Sequence, residues 1–174
     1  MKIQDLEFEL FISAAQIHDK VQQLAAQIRQ DYQQKTPLFL PVLNGSFIFA
    51  ADLTRAVNIP CRVSFVKHSS YHGTISSGKL KTLIGLSESL FNQDILIVED
   101  IMDTGLTLSK VVEELRSLGT RSVEIVTLIR KEKARQHAVQ PRYVGFDMND
   151  EFVVGYGLDY EGFGRNLPDI YRKK

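Results

Sequence analysis

Three carboxylates and two hydroxyls crowd into one short stretch near the middle of the chain, Val98-Glu99-Asp100-Ile101-Met102-Asp103-Thr104-Gly105-Leu106-Thr107. Like charges this close repel, so Glu99, Asp100 and Asp103 need a compensating partner. A divalent cation, a polyol or a proton each serves. The residues that follow have the opposite preference. Thr104-Gly105-Leu106-Thr107 opens a helix whose free N–H groups and positive dipole end favour an anion. Gly105 permits close backbone approach, and the hydroxyls of Thr104 and Thr107 add bonds to phosphate oxygens. Taken alone, Asp103 is a helix N-cap, and Glu99 and Asp100 are solvated loop charges. Taken together, carboxylates beside an anion cradle suit a ligand carrying both hydroxyls and a phosphate, a ribose phosphate. No G-x-G-x-x-G follows a strand and no Walker A loop is present, which disfavours the common nucleotide-binding folds.

Positioning such a motif requires a strand before it and a helix after it, and the surrounding pattern supplies both. Asp94-Ile95-Leu96-Ile97-Val98 is an apolar, β-branched run. Leu106, Leu108, Val111, Val112, Leu115 and Leu118 recur at helical spacing up to Gly119, and Val123-Glu124-Ile125-Val126-Thr127-Leu128-Ile129 is the next strand. Strand, helix, strand at this spacing is a βαβ unit with parallel strands. Upstream, Ser13 and Gln16 form a capping box. Ile17, Val21, Leu24, Ala25, Ile28 and Tyr32 then mark one helical face. Leu38-Phe39-Leu40-Pro41-Val42-Leu43 suits a buried strand, Asn44-Gly45-Ser46 a tight turn, residues 47–57 a helix closed by Asn58, and residues 61–66 another strand. Arg142-Tyr143-Val144-Gly145-Phe146 and Phe152-Val153-Val154-Gly155 supply later strands. The expected architecture is an α/β fold with an open, mainly parallel twisted sheet flanked by helices, and ligands at the carboxyl ends of its strands. Residues 68–78 are rich in Ser, Gly and Thr, so they are either a surface hairpin or linker or an active-site lid.

The 174 residues fit one domain, and 44% hydrophobic with 24% charged residues is ordinary for a globular protein. Lys+Arg and Asp+Glu balance at 21 each, so overall charge favours neither nucleic acid nor an acidic membrane. The single cysteine, Cys61, cannot form an internal disulfide and is expected as a buried small apolar side chain rather than a reactive thiol. Acidic residues in Met1-Lys2-Ile3-Gln4-Asp5-Leu6-Glu7 and the lack of a long apolar run point to a cytoplasmic chain with no membrane partner.

Val98 to Thr107 resembles the phosphoribosyl pyrophosphate signature of the type I phosphoribosyltransferases, and its Glu-Asp-Ile-x-Asp-Thr-Gly form resembles the hypoxanthine-guanine branch. The resemblance extends from about Leu38 to Arg165. Leu43-Asn44-Gly45 is similar to the family's pyrophosphate loop, Ser70-Tyr71 to the tip of its mobile lid, and Phe152-Val153-Val154-Gly155-Tyr156-Gly157-Leu158-Asp159-Tyr160 to its purine pocket. Lys131 stands at the base-reading lysine and Arg165 at a pyrophosphate-contacting arginine. One departure is Asn44, where some relatives carry lysine, so a charged pyrophosphate contact is missing there.

The resemblance implies a fold with a small hood and a mobile lid, a cis peptide between Leu43 and Asn44, and transfer of phosphoribose to hypoxanthine or guanine. The products would be IMP or GMP and pyrophosphate. It implies Asp103 as general base, Glu99 and Asp100 as holders of the ribose hydroxyls and a Mg2+, and Asp159 as a ligand of a second Mg2+. Lys131 would face the 6-oxo group, Phe152 would stack on the purine beside Val153, and Leu106 would join the phosphate cradle. A homodimer or homotetramer is implied too. Without the resemblance, Lys131 is a solvated charge, Phe152 core and Asp159 a turn residue. Arg135 is either near the pyrophosphate or an ordinary surface charge, and His18, His68, His72 and His137 show no ligand spacing. Two rivals stay in view. A nucleic-acid-binding regulator on the same fold should show a basic stripe or added segment, and the balanced charge argues against it. The second is a xanthine, adenine, uracil or orotate enzyme, of which the adenine and pyrimidine branches resemble this pattern less at the acidic Asp103.

Overall fold

The computed structural model describes residues 1–67, 89–136 and 139–174, apart from the side chains of residues 107, 135 and 136. In chain order its elements are β1 (Lys2–Ile3), β2 (Leu6–Ile12), α1 (Ala14–Asp31), β3 (Leu38–Leu43), α2 (Phe47–Val57), β4 (Arg62–Val63) and β5 (Val66–Lys67). Then follow β6 (Asp94–Met102), α3 (Leu106–Ser117), β7 (Ser122–Lys131), a 3-10 turn (Glu132–Gln136), β8 (Tyr143–Met148), β9 (Val153–Val154) and β10 (Ile170–Lys173).

The larger sheet runs β4-β3-β6-β7-β8, with β5 also pairing β3, and every pairing in it is parallel. Its strands are buried on both faces. On β6, Leu96 and Val98 pack with the α1 and α2 residues Ile17, Leu24, Ile28, Phe49 and Leu53, while Ile95 and Ile97 pack with Leu108, Val111, Val112 and Leu115 of α3. The period of two along the strand therefore feeds two separate cores, as the near-continuous apolar runs require. From β3 the chain passes to β4 and β5 on one side and returns to β6 on the other. That reversal opens a crevice between the carboxyl ends of β3 and β6, where parallel sheets bind ligands.

The strand expected over residues 61–66 is instead two short pieces. β4 and β5 keep one register against β3, Leu38 with Arg62 and Val42 with Val66, but the ladder lapses between them. Pro41 lies opposite the gap and has no N–H to donate, whereas pairing of β3 with β6 continues through Pro41. Cys61 is half-buried rather than buried. It packs against the core, and burial pushes its thiol up.

A second, antiparallel sheet, β1-β2-β10-β9, fits the small hood that the resemblance implied, whereas residue patterning alone gave no strand for β1, β2 or β10 and put residues 152–155 with the main strands. It closes over Ile3, Phe8 and Val154, with Leu6, Tyr160, Leu167 and Tyr171 packed against them. Asp169 Oδ1 accepts from the Ala14 N–H at 2.7 Å, fastening this small sheet to the start of α1.

The α1 capping box is present in both directions: Gln16 N–H donates to Ser13 Oγ at 3.3 Å and Ser13 N–H to Gln16 Oε1 at 2.9 Å. Asn58 closes α2 in the left-handed region (φ 49°), and Gly119 follows α3 at φ 74°. Ser13→Ala is expected to lower unfolding free energy by about 1 kcal/mol. Urea denaturation checks this, and an unchanged midpoint would mean that the cap contributes nothing.

Candidate functional site

The crevice is built where two glycine backbones and the Asp100 carboxylate meet so closely that no further side chain can intervene. β3 ends in the turn Asn44-Gly45-Ser46, entered through a cis peptide between Leu43 and Asn44, as the resemblance implied. Buried Ser46 donates its hydroxyl to Val42 O at 2.6 Å and pins the turn. A Cβ on Gly45 would fall 1.6 Å from Asp100 Oδ2, so the turn lies directly against that carboxylate. Gly157, at φ 101°, presents its own α-carbon to the same turn, and a Cβ there would fall 2.1 Å from Gly45 O. Substitution at Gly157 meets both a clash and an unfavourable φ.

Glu99 and Asp100 occupy the end of β6, and Asp100 Oδ1 accepts from the Ile101 N–H at 2.9 Å. Asp103 and Thr104 are exposed in the turn that follows. The N-cap of α3 is Gly105, in the left-handed region at φ 79°, with no side-chain cap. Asp103 therefore does not cap the helix, and its carboxylate is left for another partner. Lys131, at the end of β7 with only 13% of its side chain exposed, sets Nζ 3.6 Å from Asp103 Oδ1 and 3.6 Å from Asp150 Oδ1. Leu106 is exposed at the first turn of α3, where its N–H donates to Thr104 Oγ1 at 3.4 Å. The side chain of Thr107 lies outside the described residues.

Across the crevice, Phe152 leaves 43% of its surface exposed, while Tyr160 packs edge-on to its ring with centroids 5.7 Å apart and Phe8 tilts against it at 6.3 Å. Val153 beneath it is buried. Asp159 pairs with Arg165 Nη2 at 2.6 Å and accepts from the Gly162 N–H at 2.7 Å, and Arg165 Nη1 donates to Gly157 O at 2.6 Å. Gly45, Asp100, Asp103, Lys131, Phe152, Val153, Asp159 and Arg165 line one cavity of about 330 Å3. A larger cavity of about 690 Å3 lies between α1 and α2 and contains none of these residues. Ser70, Tyr71, His68, His72, His137 and the Arg135 side chain lie outside the described residues, and with them the lid.

The phosphoribosyl transferase domain model matches residues 13–161. This chain belongs to the phosphoribosyltransferase family. A hypoxanthine-guanine phosphoribosyltransferase of Bacillus subtilis is 43% identical over 167 residues, covering 95% of this chain and 92% of the relative. The crystal structure of a hypoxanthine phosphoribosyltransferase from Staphylococcus aureus superposes with a TM-score of 0.87 at 41% identity, over 98% of this chain and 92% of that one. A hypoxanthine phosphoribosyl transferase of Trypanosoma cruzi gives 0.87 at 31% identity, over 100% and 95%.

In this phosphoribosyltransferase burial disfavours the charged form of both strand-end carboxylates. Burial, and then neighbouring Asp100, push the Glu99 carboxyl well above the usual range, and Glu99 Oε2 is buried with no hydrogen-bond partner. Burial likewise raises Asp100 to about 6, opposed by the backbone N–H groups it accepts from and by Arg165. Among the described residues no three His, Cys, Asp or Glu side chains group to hold a metal. One or two carboxylates with an open position still fit a hard divalent cation whose remaining oxygens come from substrate.

The sequence reading held Gly157 only within the purine-pocket match, with no role of its own, and passed over Glu151 and Asp150. Gly157 is one of several chain glycines, and only the fold shows what it touches. Glu151 lines the cavity with Oε2 buried and unpartnered. Asp150 and Glu151 form an acidic pair just before the purine-pocket match, a signal available in the sequence.

A testable consequence is pH-dependent stability. Folding raises the Asp100 carboxyl, so the ligand-free folded state holds a proton that the unfolded chain releases. Its contribution is favourable below about pH 4 and is lost as pH rises toward about 6. Asp100→Asn is expected to stabilise the ligand-free protein by about 1 to 3 kcal/mol near pH 7.5, with the gain shrinking toward pH 4. Denaturation of both proteins at the two pH values checks this, and a variant no more stable than the parent at the higher pH would contradict it.

Proposed function

We propose that this chain is a hypoxanthine-guanine phosphoribosyltransferase. It transfers phosphoribose from phosphoribosyl pyrophosphate to hypoxanthine or guanine in purine salvage, releasing IMP or GMP and pyrophosphate. The observation that carries this reading is the pair formed by Asp103 and Lys131. A carboxylate and an ammonium 3.6 Å apart, on one cavity wall, complement the purine edge that bears N7–H beside the 6-oxo oxygen. Phe152 stacks on the ring above Val153, and its aromatic supports leave one side of it open.

In this mechanism Asp103 takes the N7 proton as the base attacks the ribose C1 carbon through N9, and Lys131 donates to the 6-oxo group. Backbone N–H groups of Thr104, Gly105, Leu106 and Thr107, with the uncapped start of α3, hold the ribose phosphate. The Leu43-Asn44-Gly45 turn and Arg165 hold the pyrophosphate, and Ser70 and Tyr71 of the lid exclude water. Asn44 contributes through its backbone, without the charge a lysine would bring. Glu99 and Asp100 bind the ribose hydroxyls and offer carboxylates to Mg2+. Asp159 spends oxygens on Arg165 and Gly162 yet keeps lone pairs for a second ion. When bound, the ion neutralises charge on the leaving pyrophosphate. The positions of these residues turn catalysis into orientation and charge stabilisation.

The same proposal takes the chain as one phosphoribosyltransferase domain that works in the cytoplasm as a homodimer or homotetramer, with no nucleic-acid or membrane partner. No helix of the described residues is long and apolar enough to cross a membrane.

Incubation with phosphoribosyl pyrophosphate, Mg2+ and a panel of bases tests the assignment. Hypoxanthine and guanine should both give nucleotide. Adenine should be rejected by about 10⁴ or more, because its 6-amino group would face the Lys131 ammonium, donor against donor. Xanthine should be poor. Adenine turnover comparable to hypoxanthine would overturn the base pocket while leaving the ribose-phosphate site standing. Asp103→Asn should lower kcat by about 10² to 10⁴ with phosphoribosyl pyrophosphate affinity little changed. Unchanged turnover at saturating substrates would remove Asp103 from the chemistry.

A further inference from the structure

Resting on the proposed function, the geometry assigns Asp150 as a positioning residue for base recognition: it holds the Lys131 ammonium over the 6-oxo position and off Asp103. Asp150 lies between β8 and Phe152, two residues before the ring that stacks on the purine. Its two oxygens are divided between two lysines. Oδ1 stands 3.6 Å from Lys131 Nζ, and Oδ2 accepts a short hydrogen bond from Lys133 Nζ. Lys133 thereby fixes the rotation of the carboxylate, so that Oδ1 is presented to Lys131. The hydrogen bond with Lys133 holds the Asp150 carboxyl below its usual range and raises the Lys133 ammonium.

Lys131 has a free choice between two acceptors. Asp103 Oδ1 and Asp150 Oδ1 are equally distant from Nζ, and neither is within hydrogen-bond range. With one anion removed, the ammonium has no reason to remain between them, and the other anion is the proposed general base. Loss of Asp150 would let Lys131 collapse onto Asp103, which removes the donor from the 6-oxo position. Hypoxanthine would then have to break a formed ion pair in order to bind. The ribose-phosphate cradle begins one residue after Asp103 but is made of backbone N–H groups at the start of α3, which a side-chain ion pair at Asp103 should leave in place. Lys131 is the screened member of the group, at 13% exposure, whereas Asp150 and Lys133 are open to solvent, so the effect is expected in recognition rather than in global stability.

The test uses the full chain and four proteins: parent, Asp150→Asn, Lys131→Met and the double variant, assayed with hypoxanthine and with phosphoribosyl pyrophosphate. Asp150→Asn should raise the KM for hypoxanthine about five- to twenty-fold, while the KM for phosphoribosyl pyrophosphate changes less than about twofold. In the Lys131→Met background the same substitution should have no further effect on the hypoxanthine KM, since its only route is through Lys131. Asp150→Glu should recover part of the loss. An unchanged hypoxanthine KM in Asp150→Asn overturns the inference, and so does an equal penalty with and without Lys131. A parent protein with no activity on any 6-oxopurine would instead sink the proposed function itself.

Discussion

Everything at this site depends on one steric constraint, the contact of the Gly45 backbone with the Asp100 carboxylate on one side and with Gly157 on the other. Three segments distant in sequence, the ends of β3 and β6 and the turn after β9, are brought within van der Waals reach because two of them lack a side chain. The close approach screens the strand-end carboxylates from water, and it is this screening that raises their proton affinity. Arg165 extends the same junction by bonding both Gly157 O and Asp159. A larger residue at position 45 or 157 would separate the half proposed to hold the ribose phosphate from the half proposed to hold the base.

The catalytic half and the specificity half are built from different materials. The anion cradle comes from backbone at a topological reversal, so it needs only a strand, a glycine and a helix start. The proposed base pocket draws on three elements, Lys131 ending β7, Phe152 preceding β9, and Phe8 of β2 bracing Phe152 from behind, so their relative placement depends on both sheets. This division explains why charge and hydrogen bonding in the pocket are set by exposed or half-exposed groups held by their neighbours, whereas the cradle is held by the fold.

The same division governs what the sequence made legible. Long runs buried on both faces announced β3, β6 and β7, and the capping box and the left-handed Asn58 marked helix boundaries, because each signal is local. The Val98 to Thr107 motif was legible for the same reason. The small antiparallel sheet was implied by the resemblance but not legible in residue patterning, because β2 buries few of its residues, its partner β1 is only two residues long, and its other partner β10 lies far away in the chain. The break between β4 and β5 follows from Pro41 on a neighbouring strand, not from anything in residues 61–66. The role of Asp103 could not be chosen from sequence, since Asp is as good a helix cap as it is a base. The location of the cap at Gly105 removes the helix-cap reading and leaves the base role as the proposed one.

The pairing of β2 with β10 also bears on the order in which the molecule is made. Arg172 and Glu9 lie 163 positions apart and meet across that pairing. Closing so large a loop costs conformational entropy before any contact rewards it, and contacts of this sequence separation form late. The parallel layer, with its neighbouring strands and intervening helices, can assemble from the chain in order. Phe8, which braces Phe152, belongs to the sheet that must wait for the final strand to emerge. During synthesis the molecule should therefore acquire the turn that opens α3 first and the braced Phe152 wall last.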